Sequence, residues 1–183
     1  TPNPALDYSS WVFLFNHQAP NCNSNGSNVS NSTTQSVFGS QMLATDNYLT
    51  MTSDYALLEL NTSREILSSF GVCYAGWDRS GLPGNPPFVC IQHPKGDIKK
   101  ISIENDPVVS TNKHSAIMNP AADFWRVADW DKGITAGGSS GSPLFNGSHR
   151  IIGQLCCGES DCNGTTDNGL SDWYGKFSKS WGY

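Results

Sequence analysis

A glycine-rich stretch in the second half of the chain, residues 137–145, constrains the fold most strongly. It reads Gly-Gly-Ser-Ser-Gly-Ser-Pro-Leu-Phe, and an apolar run follows at residues 151–155. Glycine adopts backbone conformations that other residues avoid, so the stretch predicts a tight turn that feeds a strand. A serine between small residues can then lie beside two backbone N–H groups that point at one oxygen. On composition alone a Gly/Ser run is more often a flexible loop, but the flanking residues favour the turn.

The composition favours short strands and turns over long helices. Of 183 residues only 15% are charged, and the chain has 18 glycines and 10 prolines. This length can bury a core as one domain or as two small β units. The net charge of −5, with scattered Lys and Arg, argues against a nucleic-acid partner. No apolar segment could span a membrane and no signal peptide is present, so we expect a soluble, secreted, extracellular protein whose export signal has been removed.

Apolar runs bounded by turn residues predict the strands. The pattern places them at residues 11–15, 41–48, 57–60, 71–77, 88–91, 124–130, 151–155 and 171–177. The first run is dense in aromatic and aliphatic residues, so we expect it to be buried on both faces. Residues 21–35 and 106–122 are expected to be loops, and we find no repeat and no strong amphipathic helix.

The cysteines suggest disulfides. There are six, without the C-x-x-C spacing of a structural zinc site: Cys22, Cys73, Cys90, Cys156, Cys157 and Cys162. In a turn-rich chain their more common use is in disulfides, which implies an oxidising compartment. Cys73 and Cys90 lie toward opposite ends of the predicted strand pair at residues 71–91 and could bridge it, which would stabilise the fold by roughly 3 kcal/mol.

With its flanks, the glycine-rich stretch resembles the active-serine motif of trypsin-like serine proteases, specifically the bacterial lysyl endopeptidase branch. That branch shows Gly-Ser-Ser-Gly-Ser-Pro where trypsin-like enzymes in general show Gly-Asp-Ser-Gly-Gly-Pro. The resemblance implies that Ser140 is the nucleophile and that the N–H groups of Gly138 and Ser140 form the oxyanion hole. Ser139 stands where most of the superfamily has an aspartate that pairs with a new N-terminus on activation, so we expect that switch to be absent.

A second segment resembles the same branch. Residues 52–60, Thr-Ser-Asp-Tyr-Ala-Leu-Leu-Glu-Leu, are similar to the family segment around the catalytic aspartate. The resemblance makes Asp54 the residue that would hold a histidine in the correct tautomer and stabilise its protonated form. Without the resemblance, an ordinary turn residue at the start of a strand is an equally good interpretation of Asp54. Residues 75–79 and 93–102 also resemble the family, so the likeness runs through most of the chain.

The substrate pocket departs from trypsin. In trypsin-like enzymes that cut after basic residues, a carboxylate lies six positions before the nucleophile, and here that residue is Ile134. Lysyl endopeptidases take the carboxylate from a later segment similar to residues 171–175, which implies that Asp172 lies in the pocket; the alternative is a solvated acid before a strand. One buried carboxylate suits the compact ammonium of lysine better than the planar guanidinium of arginine. Cys156 occupies the place of a histidine that some family members have near the pocket, which bears on pH profile and rate.

A catalytic base is not evident. The family histidine precedes the catalytic aspartate in a Thr-Ala-Ala-His-Cys type motif, which these residues lack, and four histidines occur in structural or loop contexts: His17, His93, His114 and His149. We therefore expect the catalytic histidine upstream of this sequence, which would then be the larger part of the enzyme. Cys22 and Cys162 align with family cysteines whose partners lie in the N-terminal part, so the resemblance implies a disulfide-linked companion segment. Cys156 and Cys157 are left without assigned partners.

Together, the residues and the resemblance predict an all-β, trypsin-like double six-stranded antiparallel β-barrel whose first barrel lacks its opening strands in this chain. Residues 1–60 would be the remainder of the N-terminal barrel, and residues 61–183 the C-terminal barrel. The expected function is a secreted serine endopeptidase that cleaves polypeptides on the carboxyl side of lysine, with no metal or cofactor. The alternatives are a catalytically inactive protease-like binding module and a secreted β-sandwich used in adhesion.

Overall fold

The computed structural model describes residues 7–21, 35–46, 52–160 and 170–182. The chain forms two compact units. The first contains residues 1–45 and 56–74, and the second contains residues 46–55 and 75–183. Both are built mainly from antiparallel strands. The sequence predicted that residue 60 ends the N-terminal barrel and that the C-terminal barrel follows it. That division stays a prediction.

The described part of the first unit contains two antiparallel strand pairs. β1 (Val12–Leu14) pairs with β2 (Ser36–Phe38), and β3 (Ser40–Thr45) pairs with β4 (Ala56–Leu60). A short helix, α1 (Arg64–Ser69), follows β4.

The predicted burial of the first strand on both faces is wrong. The Val12 side chain is 50% exposed and the Leu14 side chain is 56% exposed. Among the described residues β1 has only β2 as a neighbour, and a two-stranded pair covers little of its own surface.

One larger sheet dominates the second unit. In the described part of the chain it contains eight strands: β5 (Gly76–Trp77), β6 (Phe88–Gln92), β7 (Lys100–Glu104), β8 (Val109–Thr111), β9 (Phe124–Val127), β10 (Pro143–Phe145), β11 (Arg150–Gly158) and β12 (Asp172–Lys176). Their order is β7-β6-β10-β11-β12-β9-β8, and β5 pairs in parallel with β11. The all-β antiparallel fold is thereby confirmed. The described strands show no closure of a barrel, because β7 and β8 lie at opposite ends of this order.

The sheet differs from the predicted strands in several places, and β7 lies outside all of them. Only the last two residues of the predicted strand at residues 71–77 are in β5, and β8 lies inside the predicted loop at residues 106–122. β11 continues through Gly158, beyond the predicted strand at residues 151–155, so the adjacent cysteines lie on it. Most of the predicted loop at residues 21–35 lies outside the described residues.

The predicted disulfide between Cys73 and Cys90 is not formed, because both thiols are free. Cys73 is exposed and belongs to the first unit. Cys90 is completely buried in the core of the second unit, where its Sγ lies 3.3 Å from Ser142 Oγ. Burial raises the pKa of the Cys90 thiol to about 11. Cys22 and Cys162 lie outside the described residues.

The core of the second unit lies against this sheet. Its buried apolar residues are Phe88, Cys90, Val108, Trp125, Val127, Trp130, Leu144, Ile152, Leu155 and Tyr174. Each large side chain among them contributes roughly 1.5–3 kcal/mol through burial. After β12 the chain forms a one-turn helix, α2 (Phe177–Ser180). Of the helices in the described residues, none has the length and apolar character needed to cross a membrane.

A glycine on β12 allows the segment before β4 to pack closely against the sheet. A Cβ added at Gly175 would overlap the carbonyl oxygen of Ser53. The Gln154 side chain on β11 donates a hydrogen bond from Nε2 to the same oxygen over 2.7 Å. The backbone beside Asp54 is thus fixed against two strands at a distance that only glycine permits.

We predict that Gly175→Ala lowers the free energy of unfolding by about 1–3 kcal/mol, because the added methyl group forces Ser53 and Gln154 apart. Urea unfolding followed by tryptophan fluorescence measures the change. Gly182→Ala is the matched control, since the nearest atom to its added Cβ would be 3.9 Å away. Equal stability of the two variants would contradict the close packing at Gly175.

Candidate active site

The turn at residues 137–142, here called the serine turn, is anchored at both ends. Its Gly138 and Gly141 have φ of +94° and +82°, in the region that favours glycine. The Lys95 N–H donates to the Gly137 carbonyl over 2.7 Å, and the Gly141 N–H donates to the Leu155 carbonyl over 2.8 Å. The sequence therefore forms the predicted turn, and hydrogen bonds hold it to β11 and to the segment after β6.

Within the serine turn, one serine is internal and the next is presented to solvent. Ser139 is 1% exposed, and its backbone carbonyl accepts a hydrogen bond of 2.6 Å from Ser142 Oγ. Ser140 is exposed. In the described part of the chain, the Ser140 hydroxyl and the N–H groups of Gly138 and Ser140 make no hydrogen bond. An exposed hydroxyl and two unused backbone donors in the same turn are two of the features that acyl transfer by serine uses.

A buried carboxylate that the sequence analysis missed holds Asp54 in place. Asp46 is 3% exposed, and its Oδ2 accepts hydrogen bonds from the N–H groups of Ser53 (2.7 Å) and Asp54 (3.0 Å). Its Oδ1 accepts a third, from Thr52 Oγ1, over 3.1 Å. These bonds support the left-handed backbone of Asp54, whose φ is 49°. The available signal was an acid at the end of a predicted strand, eight positions before Asp54.

Asp54 belongs to a cluster of polar side chains that includes a cysteine pair and a lysine. A hydrogen bond to Cys157, burial and the nearby Asp54 carboxylate raise the pKa of Cys156 well above its ordinary value. Burial lowers the pKa of Lys113. Electrostatic interactions with Cys156, Cys157 and Asp54 raise it by more, so the pKa of Lys113 lies above its ordinary value. The candidate aspartate therefore lies near Cys156, the residue expected to stand where some family members have a histidine near the pocket.

None of the four histidines donates to or accepts from the Ser140 hydroxyl, which has no hydrogen-bond partner in the described residues. The Nδ1 atom of His93 lies 3.0 Å from the Asp97 carbonyl oxygen. The ring of His114 packs on Trp173 with the centroids 5.1 Å apart. His149 is exposed, and His17 belongs to the first unit.

Asp172 lies at the start of β12 and is completely buried. Its Oδ2 accepts hydrogen bonds of 2.7 Å from Trp130 Nε1 and from Thr135 Oγ1, whereas Oδ1 has no partner in the described chain. A Cβ added at Gly158 would overlap Oδ1. Burial raises the pKa of Asp172, opposed by the hydrogen bonds from Trp130 and Thr135 and, least, by the approaching backbone N–H of Ser160. A buried acceptor without a partner is costly, so this oxygen can bind a cation or a donor.

At the position where trypsin has its pocket carboxylate, Ile134 has a structural role. Its carbonyl accepts hydrogen bonds from Gln92 Nε2 over 2.5 Å and from Ser102 Oγ over 2.8 Å. The neighbouring Thr135 and the more distant Trp130 orient Asp172. Neither residue was predicted from the sequence to have this role. Both donors to Asp172 are remote from it in sequence, and nothing in their local patterns indicates the contact.

Strand β11 brings the three candidate regions together. Its residues Gln154, Leu155 and Gly158 each contact a different one: the Ser53 carbonyl beside the candidate aspartate, the serine turn, and the Asp172 carboxylate. The predicted site residues therefore share one structural support inside the second unit.

An antiparallel β fold that presents an exposed serine on such a turn is found in trypsin-like serine proteases. A solved structure of that class, "HtrA-type protease AlgW with decapeptide", is similar to this fold with a TM-score of 0.51 and 15% sequence identity. The likeness covers 80% of this chain and 39% of that chain. At this identity it establishes the fold alone.

The sequence also matches the family model of the lysyl endopeptidase C-terminal domain over residues 3–175, and the chain belongs to that family. A curated relative, the lysyl endopeptidase of Pseudomonas aeruginosa, is 30% identical over 163 residues. The match covers 86% of this chain and 32% of that protein, so the chain spans about a third of the relative's length.

We predict that Asp46→Ala lowers the free energy of unfolding by about 2–4 kcal/mol, because buried N–H groups lose their acceptor. Asp46→Asn is the matched variant. Its amide oxygen can accept from the Ser53 and Asp54 N–H groups, so a loss of about 1 kcal/mol is expected. Urea unfolding of both variants measures the difference. Equal losses would show that the accepted hydrogen bonds are not the cause.

Proposed function

We propose that this chain is the larger part of a secreted, extracellular serine endopeptidase that cleaves polypeptides on the carboxyl side of lysine. The observation that carries the proposal is Asp172, a fully buried carboxylate. Two side-chain donors fix one of its oxygens, and the other has no side-chain partner among the described residues, with only the Ser160 backbone N–H approaching the group. A lysine side chain bound in the pocket would supply the missing partner.

In the proposed mechanism, Ser140 attacks the scissile carbonyl while a histidine takes its proton. Asp54 orients that histidine and stabilises its protonated form. The N–H groups of Gly138 and Ser140, unused in the described chain, would bind the oxyanion of the tetrahedral intermediate. Loss of one such donor typically costs about 3 kcal/mol of transition-state stabilisation.

The histidine would come from a segment upstream of these residues. Support comes from the first unit, which exposes several large apolar side chains: Val12, Leu14, Phe38, Leu43 and Leu57. Apolar surface of this kind marks a face that another segment covers. The proposed disulfide links from Cys22 and Cys162 to that segment involve cysteines outside the described residues.

The preference for lysine over arginine would follow from the state of the Asp172 carboxylate. Oδ2 already accepts two hydrogen bonds, so only Oδ1 is available. The guanidinium of arginine gains most from two parallel acceptors, whereas the lysine ammonium is a compact charge that needs one. Trp130 and Thr135 thus favour lysine by occupying the second oxygen.

We predict that Ser140→Ala in the full-length protein reduces kcat on a lysyl peptide amide by a factor on the order of 10⁶, because the nucleophile is lost. Ser148→Ala, at an exposed serine in a surface turn, should leave the rate unchanged. Steady-state kinetics with a chromogenic peptide measures both. Undiminished turnover by the Ser140 variant would refute the assignment, and the absence of turnover in the parent protein would favour the inactive binding module.

We predict that Asp172→Asn lowers kcat/KM for lysyl substrates by about 2–5 kcal/mol, or roughly 30- to 5000-fold, because the ammonium loses its buried counter-charge. Asparagine can keep its oxygen toward Trp130 and Thr135, so the fold should persist. Asp106→Asn makes the same change of charge at an exposed acid and should have no effect. The ratio of kcat/KM for lysyl and arginyl substrates is the readout, and an unchanged ratio would contradict the pocket role of Asp172.

A further inference from the structure

The adjacent cysteines on β11 are brought together by a β-bulge. Leu155 pairs with Tyr174 and Cys157 pairs with Trp173 on β12, so Cys156 is an extra residue in the register. In a regular strand, neighbouring side chains point to opposite faces, whereas a bulge sets two residues opposite one. Cys156 Sγ accordingly lies 2.7 Å from Cys157 Sγ and donates to it. Both thiols are free and partly exposed.

The surroundings make the two thiols unequal. The hydrogen bond from Cys156 and the charge of Lys113 lower the pKa of Cys157, against burial and the carboxylates of Asp54 and Asp172. The same hydrogen bond and burial raise the pKa of Cys156. The first proton is therefore lost from Cys157, and the resulting thiolate is the nucleophilic form.

We propose that Cys156 and Cys157 form a redox-active dithiol in which Cys157 attacks small-molecule disulfides and Cys156 resolves the adduct. The Cys157 thiolate attacks one sulfur of a low-molecular-weight disulfide, forming a mixed disulfide and releasing one thiolate. Cys156 then attacks the Cys157 sulfur, releases the second thiol and gives up its proton, which closes a Cys156–Cys157 disulfide. The protein dithiol loses two electrons and the small disulfide gains them.

The geometry supports both steps. The two sulfurs already touch, so the resolving step requires little movement. A disulfide between adjacent residues closes a strained eight-membered ring, and strained disulfides are readily reduced, so the modification should be reversible. Each of the other two described cysteines lacks either solvent exposure or a neighbouring thiol. Cys90 is buried, and Cys73 is exposed but has no described thiol beside it.

The test uses the full chain, reduced, freed of reductant and then treated with glutathione disulfide. We expect an internal disulfide, with a mass about 2 Da below that of the reduced protein, and protection of both cysteines from alkylation. Peptide mapping should place the bond between Cys156 and Cys157, and dithiothreitol should restore both thiols. A bond from either cysteine to Cys162 or Cys22, or no oxidation of the pair, would overturn the proposal. Because the readout is mass, the result does not depend on protease activity.

Three variants test whether Cys157 is the attacking thiol and Cys156 the resolving thiol. Cys156→Ser should accumulate a stable glutathione adduct on Cys157, whereas Cys157→Ser should react at least about tenfold more slowly at Cys156. Lys113→Met retains both thiols and should slow the attack by Cys157. Cys73→Ser is the control and should leave the reaction at the pair unchanged. The reverse order of reactivity, or an equal rate in the Lys113 variant, would contradict the assigned roles.

Discussion

The hydrogen bonding of strand β11 is the constraint on which the candidate site depends. Within a few residues this strand binds the serine turn through the Leu155 carbonyl and the Ser53 backbone through the Gln154 side chain. Its last residue, Gly158, lies against the carboxylate of Asp172. Strands in the middle of a sheet are held on both sides, so groups attached to β11 move little relative to one another. That rigidity is what a catalytic arrangement needs, since misplacement by about 1 Å can cost two orders of magnitude in rate.

The second unit also contains a costly feature in its core. A carboxylate with no exposed surface, one of whose oxygens lacks a partner in the described chain, lowers the stability of the free protein. Trp130 and Thr135 offset part of that cost and fix the plane of the group. In the proposed function a bound ammonium would offset the rest, which would connect specificity with stability at Asp172. Buried charge of this kind is characteristic of functional sites, where a ligand completes the polar network.

Local sequence patterns were sufficient for the fold class and the serine turn, and for most strands. The predicted turn depends on glycine spacing, which the structure confirms at Gly138 and Gly141. Contacts between distant residues could not be predicted. Asp46, which clamps Asp54, resembles any acid at the end of a strand, and the free state of Cys90 results from burial that spacing does not encode. The bulge at Cys156 depends on the register of two strands, and it changes which side chains share a face.

Two glycines limit how the proposed pocket can be redesigned. At Gly158 and Gly175, even a methyl group would displace the Asp172 carboxylate or the Ser53 backbone, so a side chain at either position lowers stability. A library aimed at a new specificity would therefore gain little from varying these positions. Variation at Thr135 and Trp130 instead would free the second carboxylate oxygen and make a two-pronged guanidinium acceptable. If the proposed pocket role of Asp172 holds, substitutions at the residues that orient the acid, more than at the acid itself, would favour cleavage after arginine.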